Sequence, residues 1–225
     1  GAALLTDYIL TVAVSISSGV AQITSAFPAF YPFRVEIALG LIALITIINL
    51  RGVKESGSVF AVPTYFFVAA ILLMLGIGFW QRTTGQLNPV ASQEIVEHSL
   101  QPLTLFLILR AFASGCTALT GVEAISNGIM AFKEPRSKNA ATTMLVMSSL
   151  LAVMFIGITV LAHQVQVVAG ETIKETVISQ IARSLYGLSP LYYITLTATT
   201  VILIMAANTS FAGFPFLGAL IAGDG

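Results

Sequence analysis

The sequence predicts an all-α integral membrane protein with six membrane-spanning helices, one of them broken. Two observations carry that expectation. Apolar residues make up 56% of the 225 positions and charged residues only 9%, against roughly 25% charged in soluble domains. No single core in water absorbs so much apolar sequence, because the surface must be covered by something polar. The charge-free runs are also long: Tyr8 to Phe33, Ile37 to Leu50, Val59 to Trp80 and Ala140 to Ala162 hold no charged residue. A bilayer core of about 30 Å takes roughly 20 helical residues to cross, and a helix satisfies its own backbone there.

Taken in order, the expected spans are about 3–33, 34–50, 59–80, 103–132, 140–162 and 188–214. The second is short and needs Arg34 and Glu36 at an interface to reach full length. The fourth carries Arg110, Glu123 and glycines at 115, 121 and 128, which marks it as the broken one. The run from Ser184 to Gly223 is too long for one crossing and predicts a break near Phe214 and Pro215. Between the last two spans, Ile173, Val177, Ile178, Ile181 and Leu185 recur at helical spacing. They predict an external amphipathic helix over about 171–186, either a lid or a plain connector. The chain opens on Gly1 and stops at Gly225, and is expected to be a piece of a longer protein.

Positive charge sets the expected orientation. Arg51 and Lys54 share one short loop, and Lys133, Arg136 and Lys138 another, while the other connections mix cations with Glu94, Glu97, Glu171 and Glu175. Loops 51–58 and 133–139 are therefore expected to face the cytoplasm of a multi-pass cell-membrane protein. Net charge is zero with no long basic run, so nucleic acid is not an expected partner. Cys116, the one cysteine, reads as a small buried packing residue. His98 and His163 lack partners at metal-ligand spacing, so neither a metal nor a cofactor is expected. An intramembrane protease would need a buried catalytic pair that these residues do not supply, so the chain is not expected to be an enzyme.

Acids near or within spans are the informative residues. Asp7 precedes 26 uncharged positions, and Glu123 lies inside the broken span. A membrane carboxylate costs several kcal/mol and should face a cavity, a partner or a cation. Asp7 could also simply cap a helix end. If it lies at some depth, Thr11, Ser15 and Ser18 share its face at steps of four, four and three, with Tyr8 beside it. These oxygens suit a hard cation stripped of water, although small polar residues also serve helix packing. In the broken span, Ser114, Thr117, Thr120, Glu123 and Ser126 crowd among glycines. Broken helices place half-helix ends where substrates and ions bind in transporters; a simple kink is the other reading. A non-transporting membrane subunit is the competing class, and it has little reason to bury these acids.

Two passages resemble the amino acid, polyamine and organocation transporter superfamily. One is TGVEAISNGIMAFKEPRSKNAATTM from Thr120 to Met144, with a glycine-any-glutamate broken helix and a basic exit loop; the other is NLRGVKESG from Asn49 to Gly57. Within it, LLTDYILTVAVSISSG and AANTSFAGFP are similar to the potassium uptake permease branch. The resemblance covers the whole chain and implies an inverted-repeat, leucine-transporter-like fold, of which this is about spans three to eight. It implies transport of potassium and protons along Asp7, Tyr8, Ser15, Thr120 and Glu123, with Thr11, Ser18 and Thr117 as secondary candidates. An amino acid substrate is the alternative, and a homodimer in the lipid bilayer is a candidate assembly.

Overall fold

The structure, a computed structural model, describes residues 2–51, 57–90, 102–116, 132–168 and 174–224. These form α1 (Ala2–Ala26), a 3-10 helix (Pro28–Phe33), α2 (Arg34–Leu50), α3 (Gly57–Thr84), α4 (Leu105–Cys116), α5 (Arg136–Gln164), α6 (Val177–Tyr186) and α7 (Pro190–Asp224). Among the described residues, five segments are long and apolar enough to cross a membrane: Leu5–Ala26, Pro28–Leu50, Phe60–Thr84, Arg136–Gln164 and Pro190–Pro215. The fourth expected span, 103–132, is described only as α4, because residues 117–131 lie outside the described part.

The boundaries differ from the expected ones for local reasons. The run expected as one crossing over 3–33 is divided, because the chain turns at Phe27 and Pro28 into the 3-10 helix, which leads into the second span. Proline supplies no N–H and fixes φ, so Pro28 suits the first position of a new helical segment. At the far end, the break expected near Phe214 and Pro215 is not there: α7 continues through Pro215 to Asp224. Membrane helices tolerate such a proline.

The contacts fall into two compact units, Gly1–Ala91 with Ala162–Gly225 and, separately, Ser92–Leu161. In the larger unit α1 and α7 run antiparallel along each other. Phe27 stacks on Tyr193 at 5.7 Å, the Gly19 backbone lies against Thr200, Leu203 and Ile204, and Tyr8 meets Gly213. A Cβ at position 19 would meet Thr200, Leu203 and Ile204 at 3.7–3.8 Å, ordinary van der Waals contact, the close packing by which lipid-embedded helices associate. Ile16 and Val20 of α1, Ile45 of α2 and Ala207 of α7 are buried together, with Val12, Leu41, Ile204 and Phe211 packed around them. Outward, Leu39 is 61% exposed and Val62 71%, as helices that face lipid require.

In the smaller unit an open hollow of about 460 Å³ lies between α4 and α5, lined by Phe112, Gly115, Cys116, Leu151, Ala152 and Phe155. Cys116 is exposed there, which corrects the expectation of a buried packing residue. It ends a helix of 12 residues beside that hollow, so its own unit does not cover it.

Candidate functional site

The expected ion-binding stripe lies on one unbroken helix, α1, so its spacing of three and four residues does place it along one side. Burial rises from Asp7, which is exposed, through Thr11, half-buried, to Ser15, 9% exposed, and falls again at Ser18, which is half-buried. Asp7 stands in the first turn of the apolar stretch Leu5–Ala26, and among the described residues no ion pair joins it. Tyr8, one residue on, is turned toward α7. A Cβ added to Gly213 would come within 3.3 Å of its ring, so glycine there leaves room for the tyrosine. Around that contact lies a cavity of about 330 Å³ lined by Tyr8, Ile9, Val12, Ser210, Phe211, Phe214 and Pro215. Ser210 is a buried hydroxyl in that lining.

Thr117, Thr120 and Glu123 fall outside the described residues. The structure therefore brings together Tyr8 and the Ser210–Pro215 stretch of α7, and orders Asp7, Thr11, Ser15 and Ser18 along α1, but says nothing of the second half of the expected site.

Beside this cavity is a pair that sequence reasoning passed over. The Asn49 amide at the end of α2 donates to Asn208 Oδ1 of α7 at 2.7 Å and to the Ile45 carbonyl at 2.9 Å. An amide–amide bond between helices fixes α7 against α2 next to the residues that line the cavity. The available signal was an asparagine near the end of each of two otherwise apolar runs.

The opposite end of the same unit is closed by α6. Thr176 caps that helix, its hydroxyl oxygen accepting from Ser179 N at 3.3 Å. The same hydroxyl donates to Gln22 Oε1 of α1 at 2.9 Å, and Thr176 N donates to Ser25 Oγ at 3.0 Å. Ser179 and Tyr192 share a hydrogen bond of 2.7 Å, and Tyr192 Oη donates to the Ser25 carbonyl at 3.2 Å. Glu175 accepts from Ser179 Oγ and pairs with Arg183, both at 2.7 Å. Gln180, 2% exposed, exchanges hydrogen bonds with both backbone groups of Val168. Burial alone pushes the Tyr186 phenol up to about 12, so it stays neutral at physiological pH.

The helix is thus shorter than the expected 171–186. Residues 169–173 are outside the described part, and the extended backbone of Thr176 starts the helix at Val177. Its buried face carries Ser179, Gln180, Ile181, Ala182 and Leu185, while Val177 is exposed. The apolar stripe was legible; the polar residues between its members, which do the fastening, were not.

Comparison with known proteins completes the picture. The family described as amino acid permease matches residues 1–225. The potassium transporter KimA of Bacillus subtilis (strain 168) is 50% identical over 226 aligned residues, covering 100% of this chain and 37% of that protein. The probable potassium transport system protein Kup of Azoarcus sp. (strain BH72) is 34% identical over 56% of this chain and 19% of its own length. Kup 1 of Geobacter sulfurreducens is 36% identical over 40% of the chain and 15% of its own length. The chain thus spans little more than a third of KimA's length.

Proposed function

We propose, from the premise that this chain belongs to the amino acid permease family, that it is a membrane segment of a secondary transporter that takes up potassium with protons by alternating access. The observation that carries this reading is the 50% identity to a potassium transporter across the full chain, with the Kup relatives also being potassium transport proteins by name. The residues support it chemically. Asp7 offers a carboxylate at the edge of a span without a described ion-pair partner. Thr11, Ser15 and Ser18 continue inward from it with hydroxyl oxygens, and Tyr8 adds a phenol beside the cavity. Such oxygens replace the hydration shell of a cation entering low dielectric.

In this proposal Asp7, Tyr8 and Ser15, together with Thr120 and Glu123, line the cation and proton path, and Thr11, Ser18 and Thr117 assist. Glu123 exchanges a proton as its exposure alternates, because desolvation raises a carboxyl pKa and a nearby cation lowers it. Nothing in this scheme makes or breaks a covalent bond of the substrate, so the protein acts without being an enzyme. The scheme works within a bilayer, and copies of the chain can pair there.

Full-length protein in a cell lacking its own potassium uptake tests the reading. Growth rescue at micromolar external potassium is the expected result. Absence of rescue with accumulation of labelled amino acids would transfer the proposal to an amino acid substrate.

A further inference from the structure

Tyr31 sits on the 3-10 helix where the candidate span Leu5–Ala26 has ended and the span Pro28–Leu50 begins. Two cations converge on its ring. The Arg34 guanidinium carbon is 4.6 Å from the ring centroid and the Lys174 ammonium 4.2 Å. The aromatic quadrupole attracts each, but two like charges on one ring also repel each other. Arg34 and Lys174 are exposed, and among the described residues neither forms an ion pair. The carboxylates nearest in sequence do not serve them: Glu175 is paired with Arg183 at 2.7 Å, and Glu36 makes no described ion pair with Arg34. The cluster is therefore a concentrated positive charge without a protein counter-anion in the described structure.

Its depth says which anion would meet it. Phe27, Phe30 and Phe33 surround Tyr31 along the chain and are 50%, 48% and 57% exposed. Aromatic residues at the ends of apolar spans mark the boundary between acyl chains and headgroups. At that level the anion in high concentration is the phosphate of a phospholipid, and an arginine and a lysine gathered on one ring attract an anionic headgroup by charge. Arginine supplies a planar donor fork for phosphate and lysine a compact charge.

We infer that Tyr31, Arg34 and Lys174 form a binding site for the phosphate of an anionic phospholipid, with the exposed phenylalanines beside its acyl chains. Lys174 lies two residues before Thr176, the residue that fastens α6 to α1. A lipid held here bridges the start of α2 to the segment leading into α6.

The experiment is native mass spectrometry of the full-length protein purified in detergent with added phosphatidylglycerol. The double variant Arg34→Gln with Lys174→Gln should retain the lipid on the order of tenfold less than wild type. Lys133→Gln with Lys138→Gln, which removes the same charge elsewhere, should retain it as wild type does. Exchanging the two cations, Arg34→Lys with Lys174→Arg, keeps both charges and should keep the lipid; that variant decides the matter where the neutral one does not fold. Equal retention in the neutral variant, equal loss in the control pair, or loss in the exchanged variant would overturn the site. So would displacement of the lipid by millimolar inorganic phosphate, which would make it a site for a soluble anion.

Discussion

At one end of the larger unit α6 is tied to α1 and α7 through Gln22, Ser25, Thr176, Ser179 and Tyr192, with each bond between 2.7 and 3.2 Å. At the other end Tyr8 lines a cavity of about 330 Å³ with Asp7 one residue before it, and an Asn49–Asn208 bond of 2.7 Å joins α2 to α7. The polar groups are used differently. At the α6 end Gln22, Ser25, Ser179 and Tyr192 are buried and hydrogen-bonded, which makes that end expensive to open, since each broken buried bond leaves a desolvated group behind. At the Asp7 end no ion pair joins the carboxylate among the described residues, and in the proposed function it receives the cation together with the hydroxyls along α1. A transporter requires both: a surface that stays assembled and a site whose ligands are incomplete without cargo.

Disabling the proposed cation and proton path should have the largest consequences. Glu123→Gln in the full-length protein should lower uptake at least tenfold or remove its dependence on external pH, read from initial uptake rates between pH 6 and 8 in cells that insert the protein normally. A normal pH profile would return Glu123 to structural hydrogen bonding. Gly213→Val should come next, because branched carbons placed where a Cβ would already lie 3.3 Å from the Tyr8 ring must push that ring aside. Several-fold slower transport with unchanged expression is expected, and unimpaired uptake would separate Tyr8 from the site.

The fastened end should respond in stability rather than in selectivity. Thr176→Ala removes the α6 cap and the donor to Gln22, a loss of roughly 1–3 kcal/mol. Thermal unfolding of the purified protein should fall by a few degrees while the preference for potassium over sodium holds. A change of selectivity with unchanged stability would mean that α6 belongs to the permeation path. The smallest perturbation is a label. A cysteine at position 136 should react only from the cytoplasm and one at 94 only from outside, without altering transport; reversed labelling would exchange the two ends of the comparison.

Much of this fold was legible in the charge-free runs, because a helix in lipid is predominantly apolar and charges concentrate at its ends. The ends themselves were less legible. Pro28 begins a new segment that holds a second proline, Pro32, whereas Pro215 is absorbed within α7. The stripe from Asp7 to Ser18 was readable because one continuous helix converts spacing directly into a shared side. Asn49 and Asn208 are 159 residues apart, and spacing along one helix does not encode such a meeting. The same holds for Thr176 with Gln22 and Ser25, where small polar residues in apolar surroundings announce a partner without naming it.

The central claim is that the carboxylate of Asp7 holds the transported cation, and potassium-dependent growth of an uptake-deficient cell tests it most directly. Wild-type full-length protein should rescue growth at low potassium. Asp7→Asn, which keeps size and polarity but removes the charge, should abolish rescue while the protein remains in the membrane, and Ser15→Ala should only weaken it. Full rescue by Asp7→Asn at the same protein level would contradict the account and leave Asp7 as the cap of a helix end.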